Sequence, residues 1–397
     1  MKKILFIVPS LSGGGAERVV ATLSRSLSSE YDVNIAVFSS KRIDYEYEGE
    51  LIDLEIPESQ NRLIKDFKAL RRIKKIKKEI EPDVSVSFLP EPNMINIMSR
   101  TEEEKIIISV RNIFSRVISK SDVLGVSILK PFFNYFYKKA DIIVALSKGA
   151  KQDLINNFKI SQDKIEVIYN PCDIEGIKKK SKDEEILERE KEIFEKPTII
   201  NVGSLTEQKG QWHLIRSFKK IKEEIPEAQL VILGEGKLNK YLNKLKRDMK
   251  LENNVHLLGF KQNPFKYMKE SDIFILSSLY EGLGNVIIES MACGTPVIST
   301  DCESGPREIL APKTKITKKI ENIEKAEYGI LTPTPDGEKR KANKPLTKEE
   351  KTLSKAMIEM IKDKRLKRKY SEKSKERAKD FEPENITEEW INKIESV

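Results

Sequence analysis

The stretch KILFIVPSLSGGGAERVVATLSRSLSSEYDVNIAVF, residues 3–38, decides the fold class. Residues 3–8 form an apolar run of strand length that ends at Pro9, and such a run is apolar on both faces, as a strand covered on both sides must be. Residues 11–15 are a glycine-rich turn, and 16–27 carry apolar residues at helical spacing, with Ala16, Val19, Val20, Leu23 and Leu27 on one face. Residues 33–38 return to a strand. Strand, helix, strand is the opening of a parallel sheet, because two parallel neighbours need a crossover and a helix is the usual one.

The alternation continues. A basic helix spans 63–80, and strands follow at 84–88, 106–110 and 141–146, with an aromatic-rich segment at 131–137. Asn170-Pro171 breaks regular structure, and 178–196 is almost wholly charged. Beyond it the pattern restarts, with strands at 198–202, 230–233, 255–258, 273–277 and 296–299 and helices from Gln211, Leu238 and Val286. The fold class is therefore α/β, two doubly wound parallel-sheet domains, which suits a chain of 397 residues. The expected division is 1–190, 191–380 and a terminal helix, 381–397, with Trp390 and Ile394 on its apolar side and a candidate to return to the first domain. Residues 316–347, rich in Lys, Pro and Thr, read as a surface excursion before a helix at 348–361.

Composition narrows the partners. A net charge of +9 favours anionic ligands, whether nucleotide phosphates, lipid diphosphates or an anionic membrane. Nucleic acid is a poor reading, since no helix-turn-helix, RNP or zinc-finger pattern accompanies the basic residues. Cys172, Cys293 and Cys302 are widely spaced and odd in number, so neither a disulfide framework nor a zinc site is expected, and a reducing cytoplasm fits. No apolar run has the length to span a bilayer. The helix at 63–80 sets eight basic residues around a stripe of Ile64, Phe67, Leu70, Ile73, Ile76 and Ile80. Its stripe suits either its own sheet or, together with Phe132, Phe133, Tyr135, Phe136 and Tyr137, peripheral contact with an anionic membrane. His213 and His256 lie in or beside apolar stretches without an acid or metal-ligand neighbour and read as structural.

The strongest constellation is Tyr280-Glu281-Gly282-Leu283-Gly284-Asn285-Val286-Ile287-Ile288-Glu289, which runs from a strand end through a glycine loop into a helix. Asn285 is the expected N-cap, and the unpaired amides of the first turn can receive a diphosphate. Glu289 can accept two hydrogen bonds from a vicinal diol such as a ribose. Glu281 can contact sugar hydroxyls or stabilise positive charge at an anomeric carbon.

Glu281, seven residues, Glu289 resembles the signature of retaining glycosyltransferases of family 4, which have the GT-B fold. Other pieces agree in order. Asn201 to Gly210 resembles the first strand and loop of that family's C-terminal domain, where a Lys grips the donor diphosphate; Lys209 matches it. Val231-Ile232-Leu233-Gly234-Glu235-Gly236 resembles that domain's second strand and glycine turn, Leu258-Gly259-Phe260 its base-side strand, Ser10 to Val19, with Gly14 and Gly15 as candidate donor contacts, the N-terminal glycine loop, and Tyr169-Asn170-Pro171 the interdomain linker. The resemblance implies two Rossmann-like domains facing across a cleft. It also implies transfer of a hexose or N-acetylhexosamine, without a metal or other cofactor, from a nucleotide diphosphate sugar, taken as UDP-linked, with retention. The loop from Ser304 to Leu310 resembles enzymes that extend lipid-linked glycans, so the acceptor is expected to be polyprenyl-linked or a cell-surface polysaccharide, met on the cytoplasmic face. A sugar-nucleotide epimerase or phosphorylase of the same fold, and a non-catalytic donor-binding subunit, stay open as alternatives.

Two positions depart from the family pattern. Ser204 stands where an Arg is usual, and Arg307 is a candidate to replace that cation. Arg111-Asn112 stands where many members have a His, and Arg111 is a candidate anchor for an anionic acceptor or donor phosphate.

Overall fold

The computed structural model describes all residues but 57–61, 120–130, 132 and 184–185. The chain forms two units: Met1–Pro171 with Pro383–Val397, and Cys172–Glu382.

Unit 1 holds seven parallel strands, β1 (Lys3–Val8), β2 (Asp32–Val37), β3 (Glu50–Asp53), β4 (Val84–Phe88), β5 (Lys105–Val110), β6 (Ile142–Ala145) and β7 (Ile165–Val167). Their order is β3-β2-β1-β4-β5-β6-β7, so the winding reverses between β1 and β4. In such sheets ligands bind outside the carboxyl ends of the strands at that reversal. The terminal helix Pro383–Glu395 completes this unit: Trp390 is fully buried, with its ring 5.6 Å from that of Phe88, and Lys393 pairs with Glu166 at 2.9 Å.

Unit 2 holds β8 (Thr198–Val202), β9 (Gln229–Leu233), β10 (Val255–Gly259), β11 (Ile273–Leu276), β12 (Val297–Thr300), β13 (Glu324–Lys325) and β14 (Ile330–Thr332). The order is β10-β9-β8-β11-β12-β14-β13, parallel except for β13, and the winding reverses between β8 and β11.

Several expectations need correction. The first change of unit comes at Pro171/Cys172, not at 190/191, because the helix Ile174–Asp183 packs on the helices Phe265–Glu270 and Asn285–Ala292 of unit 2. The charged run at 178–196 thus belongs to unit 2 and does not mark the boundary. The excursion at 316–347 contains the buried strand β14, whose three residues are too few for a periodicity to register. The helix Arg62–Ile80 buries Ala69, Ile73 and Lys77, while Ile64 and Phe67 are 58% and 62% exposed. Lys77 belongs to the interior because Glu104 meets it there at 2.7 Å and Asn96 accepts from it at 2.6 Å. Of the aromatic segment, Phe132 lies outside the described residues. Tyr137 is buried and stacks on Phe114, Phe133 meets Phe114 edge-on, and Tyr135 is exposed. His213 has an acid after all: Glu350, 137 residues away, lies 2.8 Å from its Nδ1 and takes Arg216 Nε at the same distance.

Candidate active site

The reversal in unit 2 brings together the two loops that the sequence singled out. The loop after β8 carries Lys209 on the turn Glu207–Lys209, and the loop after β11 carries Glu281. They are tied by backbone and side chain: Leu279 N donates to Gln208 O at 2.8 Å, and Ser277 Oγ to Lys209 O at 2.8 Å. From the far side, Glu281 N donates to Glu303 O at 3.2 Å, and Ser304 Oγ to Gly282 O at 2.9 Å. Glu281 is 5% exposed. Lys209 Nζ donates to its Oε1 at 2.7 Å, Ser278 Oγ to the same oxygen at 2.6 Å, and Gln208 Nε2 to Oε2 at 3.4 Å. A carboxylate held this way is fixed in direction, which is what a group acting on a developing cation needs.

The helix Asn285–Ala292 starts one residue earlier than a capping Asn285 would allow. Gly284 is the N-cap, with φ of 89°, and Asn285 is the first helical residue. A left-handed backbone there turns the chain from loop into helix within one residue, which strongly favours glycine. In the first turn Ile287 N donates to the N-cap carbonyl, Gly284 O, at 2.8 Å, and the dipole makes that end of the helix positive. Glu289 is half-buried in the second turn.

The remaining glycines and cations divide. Gly234 is required by packing: a Cβ on it would lie 2.1 Å from Gly203 O, so the loops after β8 and β9 touch through backbone. Gly236 meets Leu205 O in the same way, at 2.5 Å, and Gly259 O accepts from Gly234 N at 2.8 Å. These residues shape the loops that surround Lys209. Arg307 is not available to replace the cation missing at Ser204. All five of its N–H groups are engaged, with Asp301 at 2.6 and 3.0 Å, Glu324 at 3.0 and 3.3 Å and Thr314 at 3.0 Å. It anchors the loop after β12 to β13. A groove of about 1270 Å³ between the helices Gln211–Glu224 and Lys348–Lys362 and one of about 1090 Å³ between Gln211–Glu224 and Asn239–Asp248 share no lining residue with this site, so volume is a poor guide to the chemistry here.

In unit 1 the corresponding edge carries the loop Ser12–Gly14 after β1 and Arg111-Asn112 after β5. Gly14 is the N-cap and Gly15 the first residue of the helix Gly15–Leu27, and Gly14 O accepts from Tyr45 Oη at 3.2 Å. Glu17, two residues on, is buried, and desolvation raises its pKa. Asn112 is exposed, whereas Arg111 is 7% exposed.

Two family models match the chain: Glycosyltransferase Family 4 over residues 13–175, and Glycosyl transferases group 1 over 182–350. A glycosyltransferase of Methanocaldococcus jannaschii is 40% identical over 92% of this chain and 93% of its own length. The chain belongs to glycosyltransferase family 4. An N-acetylgalactosamine-N,N'-diacetylbacillosaminyl-diphospho-undecaprenol 4-alpha-N-acetylgalactosaminyltransferase of Campylobacter jejuni is 34% identical to this family 4 transferase, over 98% of the chain and 99% of its own length. In fold it is similar to the Anabaena protein HepE in complex with UDP, with a TM-score of 0.74 over the whole of both chains at 18% identity. The two parallel-sheet units are those of the GT-B fold.

Sequence reasoning placed Lys209 and Glu281 of the transferase but missed their supports. Gln208 stood in the quoted run without a role, and Ser278 has no distinguishing neighbour. Glu17 was findable, since an acid at the third helical position is an N-terminal signal.

Proposed function

We propose that this transferase moves a hexose or N-acetylhexosamine from a UDP-linked donor to a polyprenyl-linked or polysaccharide acceptor, with retention and without a metal. The observation that carries the reading is the Lys209–Glu281 pair, 2.7 Å apart, at the carboxyl edge where the strand order of unit 2 reverses. The named action of the Campylobacter relative on a diphospho-undecaprenol acceptor supports the acceptor class. The Anabaena neighbour's UDP supports the donor class.

In this reading the donor's diphosphate takes Lys209 Nζ and the amides at the start of the helix Asn285–Ala292. As the bond from the anomeric carbon to the phosphate oxygen breaks, negative charge grows on that oxygen and these groups stabilise it. Glu281 stabilises the positive charge left at the sugar, and Glu289 accepts from the ribose hydroxyls. The acceptor oxygen bonds to the anomeric carbon on the face the phosphate leaves, and its proton passes to the departing phosphate. No enzyme nucleophile is used.

Peripheral contact with an anionic membrane is part of the proposal. It is supported by the exposed Ile64 and Phe67 beside Lys68, Arg71, Lys74, Lys75 and Lys78 on one helix. Among the described residues no helix is long and apolar enough to cross a bilayer.

The test is the purified chain with a panel of UDP-hexoses and UDP-N-acetylhexosamines and a polyprenyl diphosphate-linked sugar acceptor. Acceptor-dependent release of UDP is expected, unchanged by a chelator, with an α-linked product from an α-linked donor by NMR. A β-linked product overturns retention. No turnover of any UDP-sugar overturns the transfer.

A further inference from the structure

We propose that Arg111 is the cation of a separate anion site in unit 1 and takes a phosphate or diphosphate group of a substrate. Transfer between a nucleotide diphosphate sugar and a lipid diphosphate acceptor, as proposed above, identifies the group; the site itself is argued from geometry.

Four arginines are buried among the described residues: Arg111, Arg216, Arg307 and Arg377. Three are satisfied. Arg216 donates to Glu350 and three backbone carbonyls, Arg307 to Asp301, Glu324 and Thr314, and Arg377 to Asp380 and the carbonyls of Ile309 and Glu308. Arg111 pairs with no carboxylate among the described residues. Its Nη1 donates to Ser109 Oγ at 3.1 Å, and its guanidinium carbon lies 5.6 Å from the Phe88 ring centroid. Nε and Nη2 are buried and have no hydrogen-bond partner among the described residues.

Those two nitrogens form one edge of the guanidinium, whose parallel N–H bonds match two oxygens of one phosphate. Burial of an uncompensated cation opposes folding, so a chain that keeps one at a sheet edge is adapted to a ligand of opposite charge. The place is consistent: Arg111 follows β5 at the carboxyl edge, one strand from the reversal between β1 and β4. A hydroxyl and an aromatic face hold the guanidinium in orientation without neutralising it.

The experiment compares wild type, Arg111→Met and Arg111→Lys for binding of inorganic pyrophosphate, UDP and farnesyl diphosphate by calorimetry, with melting temperatures of the free proteins. We expect Arg111→Met to melt at or above wild type, because a buried unpaired charge is gone. We expect both variants to lose pyrophosphate affinity about tenfold or more, since Lys lacks the two-pronged edge. Loss confined to farnesyl diphosphate assigns the site to the acceptor, and loss confined to UDP assigns it to the donor. Unchanged affinity for all three ligands in Arg111→Lys overturns the proposal, and so does a lower melting temperature of Arg111→Met with binding retained. Pyrophosphate binding through Arg111 in a chain that turns over no UDP-sugar would leave this site standing and remove the transfer reaction.

Discussion

Glu281 and Lys209 are 72 residues apart in the chain and 2.7 Å apart in the fold, with Ser278 donating to the same carboxylate oxygen. In the proposed mechanism Glu281 acts on the developing cation, so with Glu281→Ala kcat should fall by roughly 100-fold or more with little change in donor KM. In the same mechanism Lys209 donates to the diphosphate, so with Lys209→Ala kcat/KM for the donor should fall about tenfold or more. Initial rates of UDP release measure both, and wild-type turnover in both variants would remove the site. At this scale the sequence was informative where residues lie consecutively on one loop, as from Tyr280 to Glu289. It misled at Arg307, because a cation near a loop was visible while Asp301, six residues back, and Glu324, on β13, were not recognised as its partners.

The helix Asn285–Ala292 and the helix Arg62–Ile80 show what elements demand of single residues. A Cβ at Gly284 meets no atom closer than 3.5 Å, so Gly284→Ala should destabilise unit 2 through backbone strain alone, by roughly 1–2 kcal/mol in denaturant unfolding. An unchanged midpoint would contradict the left-handed cap. Lys77→Met strands Glu104 in the interior and should cost roughly 3–5 kcal/mol, whereas Lys77→Met combined with Glu104→Leu should be far milder. Desolvation pushes the Lys77 pKa down from 10.5 to about 8. Between those values the unfolded chain binds more protons than the folded one, so the Lys77 contribution to stability should increase as pH rises from about 8 to 10.5. Unfolding midpoints across that range, referenced to the double variant, test the sign. The apolar spacing of this helix announced its existence but not its buried face, which holds Lys77 with its acid partner and leaves Ile64 and Phe67 exposed.

On the scale of the whole molecule, the chain leaves unit 1 at Pro171 and returns to it at Pro383. The returning helix buries Ile386, Trp390 and Ile394 in the core built by β1, β2 and β4. Trp390→Ala should therefore destabilise unit 1 by roughly 3–5 kcal/mol. Hydrogen exchange should show loss of protection in β1 and β4 and none in β8 and β11; equal loss in both units would contradict the assignment of this helix.

The parallel architecture, the glycine turns and the loops bearing Lys209 and Glu281 followed from the sequence alone. Apolar periodicity, glycine and strand-to-helix junctions are local signals, and sheet winding places the carboxyl ends of consecutive strands along one edge. Tertiary structure alone decided which buried charges have partners: Lys77 with Glu104, His213 and Arg216 with Glu350, Arg307 with Asp301 and Glu324, and Arg111 with no acid among the described residues. The physical reason is that desolvation makes an ion's worth depend on its neighbours within a few ångströms, and most of those neighbours come from distant parts of the chain.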